Sequence, residues 1–175
     1  MMKKLLKLLM LVAPACFADV TIDLTKPKNL EVADIYPSYE ILRSLNFEDT
    51  QKNMSITAFK RKKDNEDWDP IFMVQIESSK GGEQKIYIYL ALSCTSSDES
   101  YESIIIKTND QNVKYNKFCN GSRVYLTPAS KAGDNFLVGE FKKQENVIFV
   151  FSDTAIIFDA MGFTKYWNDY GGDAL

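Results

Sequence analysis

Short apolar stretches separated by polar turns run through most of the chain after residue 50. They lie at residues 54–60, 70–76, 85–94, 101–108, 112–118, 122–127, 146–151 and 154–159. The clearest is residues 85–94, where Ile86, Ile88 and Leu90 would share one face of a strand. A two-residue period indicates a β-strand, and short strands joined by tight turns are typical of antiparallel sheets. The pattern predicts a mainly β fold, either a β-sandwich or a curved antiparallel sheet, with an α+β arrangement as the alternative.

Three other segments favour helices. They are residues 37–45, 134–143 and 162–170. In the second segment we expect Asp134 to cap the helix, because a short side-chain acceptor satisfies free backbone amides at a helix start. In the third, four aromatic side chains share one helical face, namely Phe163, Tyr166, Trp167 and Tyr170. We expect this face to cover the sheet, and the binding of a partner by the same side chains is the alternative. The fold therefore includes two or three short helices.

The first 18 residues have the features of a bacterial secretory signal peptide. Lys3, Lys4 and Lys7 precede an apolar stretch at residues 8–13, and small residues lead to a cleavage point after Ala18. The apolar stretch is shorter than the roughly 20 residues needed to cross a bilayer. We therefore expect a cleaved signal followed by one secreted domain, residues 19–175, that works in the periplasm.

A lipoprotein signal is the alternative interpretation of this segment. Residues 13–16 end in Cys16, which in a lipoprotein would be lipidated and become the mature N-terminus. Such signals usually carry a branched aliphatic residue where Ala13 stands, and they tolerate a proline such as Pro14 badly. We therefore favour cleavage after Ala18, with an anchor at Cys16 as the alternative.

Charge and hydropathy limit the classes of partner. The chain carries 21 Lys and Arg against 24 Asp and Glu, and three of the basic residues belong to the predicted signal. The secreted domain is therefore acidic, which disfavours nucleic acid as a partner, because binding to phosphates needs clustered positive charge. No segment after residue 18 is apolar enough to form a transmembrane span.

Two cysteines, Cys94 and Cys119, remain after the predicted signal is removed. An even pair in an oxidising compartment predicts one disulfide. A redox-active pair is the alternative, but such pairs usually have the Cys-x-x-Cys spacing. Closing a loop of about 25 residues would stabilise the fold by roughly 3 to 4 kcal/mol on the chain-entropy account.

Catalytic motifs are missing from the sequence. The chain has no histidine, which removes the commonest general base, the usual zinc ligand and the Ser-His-Asp triad. It also has no Walker A loop and no GxGxxG fingerprint. We therefore predict a protein that is not an enzyme and that uses no cofactor or metal.

An acidic cluster follows the first strand of the series. It comprises Asp64, Glu66, Asp67 and Asp69, with Trp68 among them. Closely spaced carboxylates can bind calcium, but this cluster lacks the central glycine of an EF-hand and adjoins basic residues at 61–63. We predict a solvated hairpin loop over residues 61–69. Trp68 is a candidate anchor for a protein partner, since aromatic side chains supply much of the binding energy at interfaces.

A second acidic group lies between the two cysteines and consists of Asp98, Glu99 and Glu102. A glycosidase needs two carboxylates held across a sugar-sized cleft, and neighbours on one polar loop do not indicate that geometry. We interpret this group as a loop tip and as a second candidate surface for a partner.

These features favour a periplasmic module that binds or inhibits another protein. A small, exported, acidic domain without catalytic groups suits a protein that occupies a partner's surface, and its charge suits a basic partner. An immunity protein against a toxin or a cell-wall hydrolase would be one example. The alternative is an accessory component of an envelope, secretion or conjugation apparatus, and a carboxylate-dependent hydrolase is a third class.

Overall fold

Ten strands and three helices make up the described part of the computed structural model, which covers residues 20–25, 39–61, 68–90, 94, 102–120 and 123–170. The strands are β1 (Val20–Asp23), β2 (Tyr39–Leu45), β3 (Met54–Arg61), β4 (Trp68–Ser78), β5 (Gln84–Leu90), β6 (Glu102–Thr108), β7 (Gln111–Asn120), β8 (Arg123–Pro128), β9 (Asn146–Phe151) and β10 (Thr154–Asp159). The helices are α1 (Phe47–Thr50), α2 (Lys131–Lys143) and α3 (Phe163–Asp169). The predicted signal peptide, residues 1–18, lies outside the described residues. None of the helices described is long and apolar enough to span a membrane.

All ten strands belong to one curled sheet, in the order β1-β10-β9-β6-β7-β8-β5-β4-β3-β2. Strand β1 runs parallel to β10, and every other neighbouring pair is antiparallel. Strand β6 pairs with β9 only at Lys107 and Thr108, so the sheet has a narrow junction there. The predicted mainly β fold with a curved sheet, short helices and one disulfide is confirmed, and the parallel β1 makes the sheet mixed.

The inner face of the curled sheet carries the hydrophobic core. Val74 on β4, Ile88 on β5 and Leu126 on β8 lie side by side in the sheet register, and all three are fully buried. Helix α2 adds Leu137 and Phe141 to the same core cluster. The residues that alternate with Ile88 along β5 lie on the opposite face of the sheet, which we call the outer face.

Three phenylalanines join the three helices at one end of the core. The ring centroids of Phe141 on α2 and Phe163 on α3 are 5.0 Å apart, and the Phe47 ring of α1 lies 5.3 Å from that of Phe163. All three side chains are buried. Large aromatic side chains bury much apolar area and gain further from such ring contacts, so this cluster holds the helices against the sheet.

The same end of the molecule brings together the segments that follow β2 and β10. The Asn46 amide donates to the Asp159 carboxylate at 3.2 Å. Gly162 has a φ of 83° and approaches Glu48 so closely that an added Cβ would lie 2.7 Å from the Glu48 backbone nitrogen. Only glycine fits this left-handed backbone and this contact without strain. We call this contact the clasp, formed by Asn46, Phe47 and Glu48 against Asp159, Gly162 and Phe163.

Cys94 and Cys119 form a disulfide, as predicted. Their Cα atoms are 6.0 Å apart, within the usual range for a disulfide. Because Cys119 lies on β7, the disulfide links the chain after β5 to β7.

The predicted helix at residues 37–45 is wrong. Residues 39–45 form strand β2, which pairs with β3 and leads into α1 through the cap Asn46. Leu, Glu and Arg tolerate either structure, and here the hydrogen bonds offered by β3 override local helix propensity. Strand β1 and helix α1 are further elements that the sequence pattern did not predict.

The predicted capping role of Asp134 is also wrong. Helix α2 begins earlier, where the Ser130 hydroxyl accepts a hydrogen bond from the Gly133 backbone amide at 3.2 Å. Asp134 lies in the first turn, and its carboxylate accepts from the Lys85 ammonium at 3.0 Å. The apolar positions alone placed the helix start one turn too late, since the cap and the first residues are polar.

Candidate binding groove between two helices

The two acidic groups singled out in the sequence lie largely outside the described residues. Those outside are Asp64, Glu66, Asp67, Asp98 and Glu99. Their role in binding a partner, and the suitability of a basic partner, therefore stay predictions.

Trp68 and Asp69 do not belong to a loop as predicted. They are the first two residues of β4, where they pair with Lys60 and Phe59 of β3. Because charged residues surround them, the sequence shows no strand pattern at this point. The hydrogen bonds with β3 stabilise the start of β4. The range predicted as a loop, residues 61–69, therefore overlaps the end of β3 at Arg61 and the start of β4 at Trp68.

Glu102 begins β6 and is exposed. Its carboxylate accepts a hydrogen bond from the Lys117 ammonium at 2.9 Å, across the pair of residues that align β6 with β7. An exposed cross-strand ion pair contributes little to stability. Glu102 therefore has a local partner and does not converge with another carboxylate among the described residues.

A groove of about 530 Å³ lies beside the clasp. Its walls are the C-terminal end of α2, the turn that leads into β9, the end of β10 and the first turn of α3, with Thr25 after β1 completing the lining. Because α2 and α3 are held together by the buried phenylalanines, the walls come from rigid elements. A concave surface of this kind is a candidate binding site.

Met161 lies at the groove in the turn between β10 and α3, and 56% of its surface is exposed. Its backbone amide donates to the Asp159 carboxylate at 2.8 Å. The next residue, Gly162, turns the chain into α3 with its left-handed backbone. The clasp therefore fixes the backbone of Met161 while its flexible apolar side chain lies at the surface, where it can fit an apolar group of a partner.

Three lysines line the groove, and one is committed to the fold. The Lys142 ammonium lies 3.3 Å from the Asn168 side-chain oxygen and 5.7 Å from the Trp167 ring centroid. Lys143 and Lys165 are both exposed, and within the part of the chain described neither forms an ion pair. The Lys165 ammonium lies 5.3 Å from the Tyr166 ring centroid, a contact that leaves its hydrogen-bond donors unused. Their charges are available to a ligand.

Two carboxylates also line the groove, Glu145 and Asp159. The two oxygens of Asp159 accept from the Asn46 amide and from the Met161 backbone amide. Asp159 therefore holds the clasp together. Glu145 is exposed, and its backbone carbonyl accepts from Ala160 at 2.9 Å. The available charge in the groove is positive on balance, although the whole chain has a net charge of −3.

A second polar cluster ties the helices to the hairpin of β4 and β5. The Lys85 and Asp134 pair is mostly buried, with 20% and 10% of the two side chains exposed. Burial raises the pKa of the neighbouring Tyr87, an effect that Lys85 partly offsets. The Ser78 backbone amide donates to the Tyr170 hydroxyl at 2.9 Å. These contacts hold α2 and α3 in place.

The groove was missed in the sequence because its residues come from three separate segments, at residue 25, residues 141–146 and residues 159–165. Lys142 and Lys143 have an ordinary local explanation, since basic residues favour the C-terminal end of a helix. A weak local signal existed, since a methionine followed by a glycine joins a predicted strand to a predicted helix. Across the described residues, no group of three or more histidines, cysteines or carboxylates could hold a metal ion.

Comparison with known proteins found no matching family, no similar curated protein and no similar solved structure. The shape and the charges of the groove are therefore the basis for a proposed function.

Proposed function

We propose that this chain is a binding module for another protein, and that the groove between α2 and α3 is its binding site. The observation that carries the proposal is Met161, a large apolar side chain that is 56% exposed beside a groove of about 530 Å³. An exposed apolar side chain on a fixed backbone suits a partner that buries it. The unpaired charges of Lys143 and Lys165 would surround that contact.

The proposed setting is the periplasm, following export by the signal at residues 1–18. The Cys94 and Cys119 disulfide is compatible with an oxidising compartment. Within this setting we propose an inhibitory role, such as immunity against a toxin or a cell-wall hydrolase. Assembly of an envelope, secretion or conjugation apparatus is the alternative, and it would use the same groove as a docking point.

The structural role of Asp159 favours binding over hydrolysis. A carboxylate-dependent hydrolase needs a pair of carboxylates that are available to the substrate. In the groove the Asp159 carboxylate already accepts two hydrogen bonds within the clasp. We therefore propose no catalytic step here.

Site-specific crosslinking tests the proposal. A photoreactive amino acid at Met161 should capture one partner in the native host's envelope, whereas the same group at Ile105 should not. Ile105 is the matched control because it is 72% exposed and does not line the groove.

The captured protein must then bind the purified chain with one-to-one stoichiometry. Met161→Asp should weaken that complex by about tenfold or more, while Ile105→Asp should leave it within about twofold. Equal capture at both positions, or a complex that is insensitive to Met161→Asp, would contradict the proposal.

A further inference from the structure

We infer that the groove receives an acidic polypeptide segment, with carboxylates that pair with Lys143 and Lys165 on either side of an apolar residue that contacts Met161. This inference rests on the proposed function, and it names the chemistry of the partner at the same site.

The lysines of the groove differ in whether their charge is already used by the fold. Among the described residues, Lys143 and Lys165 make no ion pair. The Lys142 ammonium is already held by the Asn168 side chain and the Trp167 ring. The Lys165 ammonium contacts the Tyr166 ring, at 5.3 Å from its centroid. The groove therefore presents two ammonium groups without a carboxylate partner from two different helices, and a ligand with two separated carboxylates complements them.

The two acidic side chains of the groove could compete with a ligand for these lysines. The Asp159 carboxylate is engaged by the Asn46 amide and by the Met161 backbone amide. Glu145 is the other carboxylate in the lining. Among the described residues that line the groove, Glu145 is thus the one carboxylate that makes no side-chain hydrogen bond, and it stands against two lysines without ion pairs, so the charges favour an acidic segment.

The groove has a local excess of positive charge on a chain that is acidic as a whole. The whole sequence has a net charge of −3, so nonspecific attraction between the chain and an acidic partner is weak. Binding of an acidic segment would then depend on the groove rather than on overall charge. It would also weaken as salt is added, because exposed charge pairs are screened within about 10 Å at 0.1 M salt.

Fluorescence anisotropy with synthetic peptides tests this inference. The probe is a fluorescein-labelled peptide with one leucine between two short runs of glutamate, and the controls replace every glutamate by glutamine or by lysine. The glutamate peptide should bind in a saturable manner and more tightly than either control. Raising the salt concentration from about 50 mM to about 300 mM should weaken it several-fold.

Two charge-reversal variants locate the binding. The double variant Lys143→Glu with Lys165→Glu should weaken binding of the glutamate peptide by about tenfold or more. The double variant Lys107→Glu with Lys114→Glu should change it by less than about threefold. Lys107 and Lys114 are exposed residues outside the groove, and their reversal changes the net charge equally. The milder pair Lys143→Gln and Lys165→Gln should give an intermediate loss, and thermal melting checks that each variant is folded.

The inference is overturned if the glutamate peptide does not bind, if the glutamine or lysine peptide binds as well, or if both double reversals weaken binding equally. A second copy of this chain in the groove, detected by sedimentation as a dimer that Met161→Asp dissociates, would also overturn it. The inference can also fail while the proposed function stands. If the partner captured at Met161 binds with unchanged affinity to the Lys143→Glu and Lys165→Glu variant, binding at the groove stands and the acidic segment is excluded.

Discussion

Tyr115 and Tyr89 are both buried tyrosines on central strands, but they lie on opposite faces of the sheet. Tyr115 belongs to the inner face, where its hydroxyl shares a hydrogen bond of 2.8 Å with the Thr108 hydroxyl. Tyr89 belongs to the outer face, where its ring meets that of Tyr125 edge-on at 4.8 Å and the Arg123 guanidinium at 5.2 Å. Within the part of the chain that the structure describes, the buried Tyr89 hydroxyl has no hydrogen-bond partner.

The difference shows how the two faces are stabilised. The inner face is covered by helices and the Tyr115 hydroxyl on it is hydrogen-bonded, so a substitution there loses packing, hydrogen bonds or both. The outer face gains its burial from ring contacts between neighbouring strands, and it tolerates a polar atom that contributes nothing. We therefore expect stability to depend much more on the inner face.

The largest expected effect is at the phenylalanine cluster that covers the inner face. Phe163→Ala should lower the free energy of unfolding by about 3 to 5 kcal/mol, because it removes a fully buried ring that contacts Phe47 and Phe141. Tyr125→Ala on the outer face should cost about 1 to 2 kcal/mol, since that ring is only half-buried. Urea denaturation of both variants gives the comparison. Equal losses would contradict the proposed difference between the faces.

The clasp that closes the inner face should give the next largest effect. Gly162→Ala is expected to destabilise the protein by about 2 kcal/mol or more, because its φ is 83° and the new Cβ would lie 2.7 Å from the Glu48 nitrogen.

Gly139→Ala is the matched control for the clasp variant. It lies within α2, and an added Cβ there has no neighbour within 4 Å. This change should stabilise the protein by up to about 1 kcal/mol, because alanine is the better helix former. Thermal melts of the two variants should therefore shift in opposite directions. A Gly162→Ala protein as stable as the wild type would show that the clasp is not a close contact in solution.

Alkaline pH should lower the free energy of unfolding through Tyr115, a residue of the inner face. Burial raises the pKa of Tyr115 above the usual value near 10, and its hydrogen bond to Thr108 only partly offsets that rise. The stabilisation that comes from keeping Tyr115 neutral is therefore complete below pH 10. It is lost above pH 10, where the tyrosine of the unfolded chain ionises while the folded one does not.

The loss should approach about 1.4 kcal/mol per pH unit from this one group. Urea denaturation of the wild type and of Tyr115→Phe between about pH 9 and pH 11 measures it. The wild type should lose stability more steeply than the variant. Parallel curves would assign the alkaline loss to other groups, such as Tyr87.

The sequence predicted the elements in which burial imposes a local pattern. Strand β5 alternates strictly, and the hairpin of β9 and β10 is an apolar pair of segments around the turn at Ser152 and Asp153, so both were predicted correctly. Strand β2 was mistaken for a helix because its residues suit either structure and only β3 decides between them. Local patterns thus sufficed for strands with a strong apolar period and failed where pairing made the choice.

The groove could not be predicted for a related reason. The groove is lined by residues that form no motif in the sequence, among them Thr25, Lys143, Met161 and Lys165. The clasp and the phenylalanine cluster bring their segments together. Each of these residues has an ordinary local explanation, such as a lysine at a helix C-terminus. A binding site made by tertiary contacts leaves little trace in the periodicity of single elements.

The smallest expected effect returns to the two tyrosines. Tyr115→Phe should cost about 1 to 2 kcal/mol, because it leaves the buried Thr108 hydroxyl without its partner. Tyr89→Phe removes a hydroxyl that has no partner and should change stability by less than about 0.5 kcal/mol, or increase it slightly. Both variants remove only a tyrosine hydroxyl and keep the ring. The difference between them therefore measures what the Tyr115 hydrogen bond contributes to the free energy of unfolding. Urea denaturation at neutral pH resolves the difference, and a Tyr89→Phe loss as large as that of Tyr115→Phe would show that the Tyr89 hydroxyl has a bonding partner in solution.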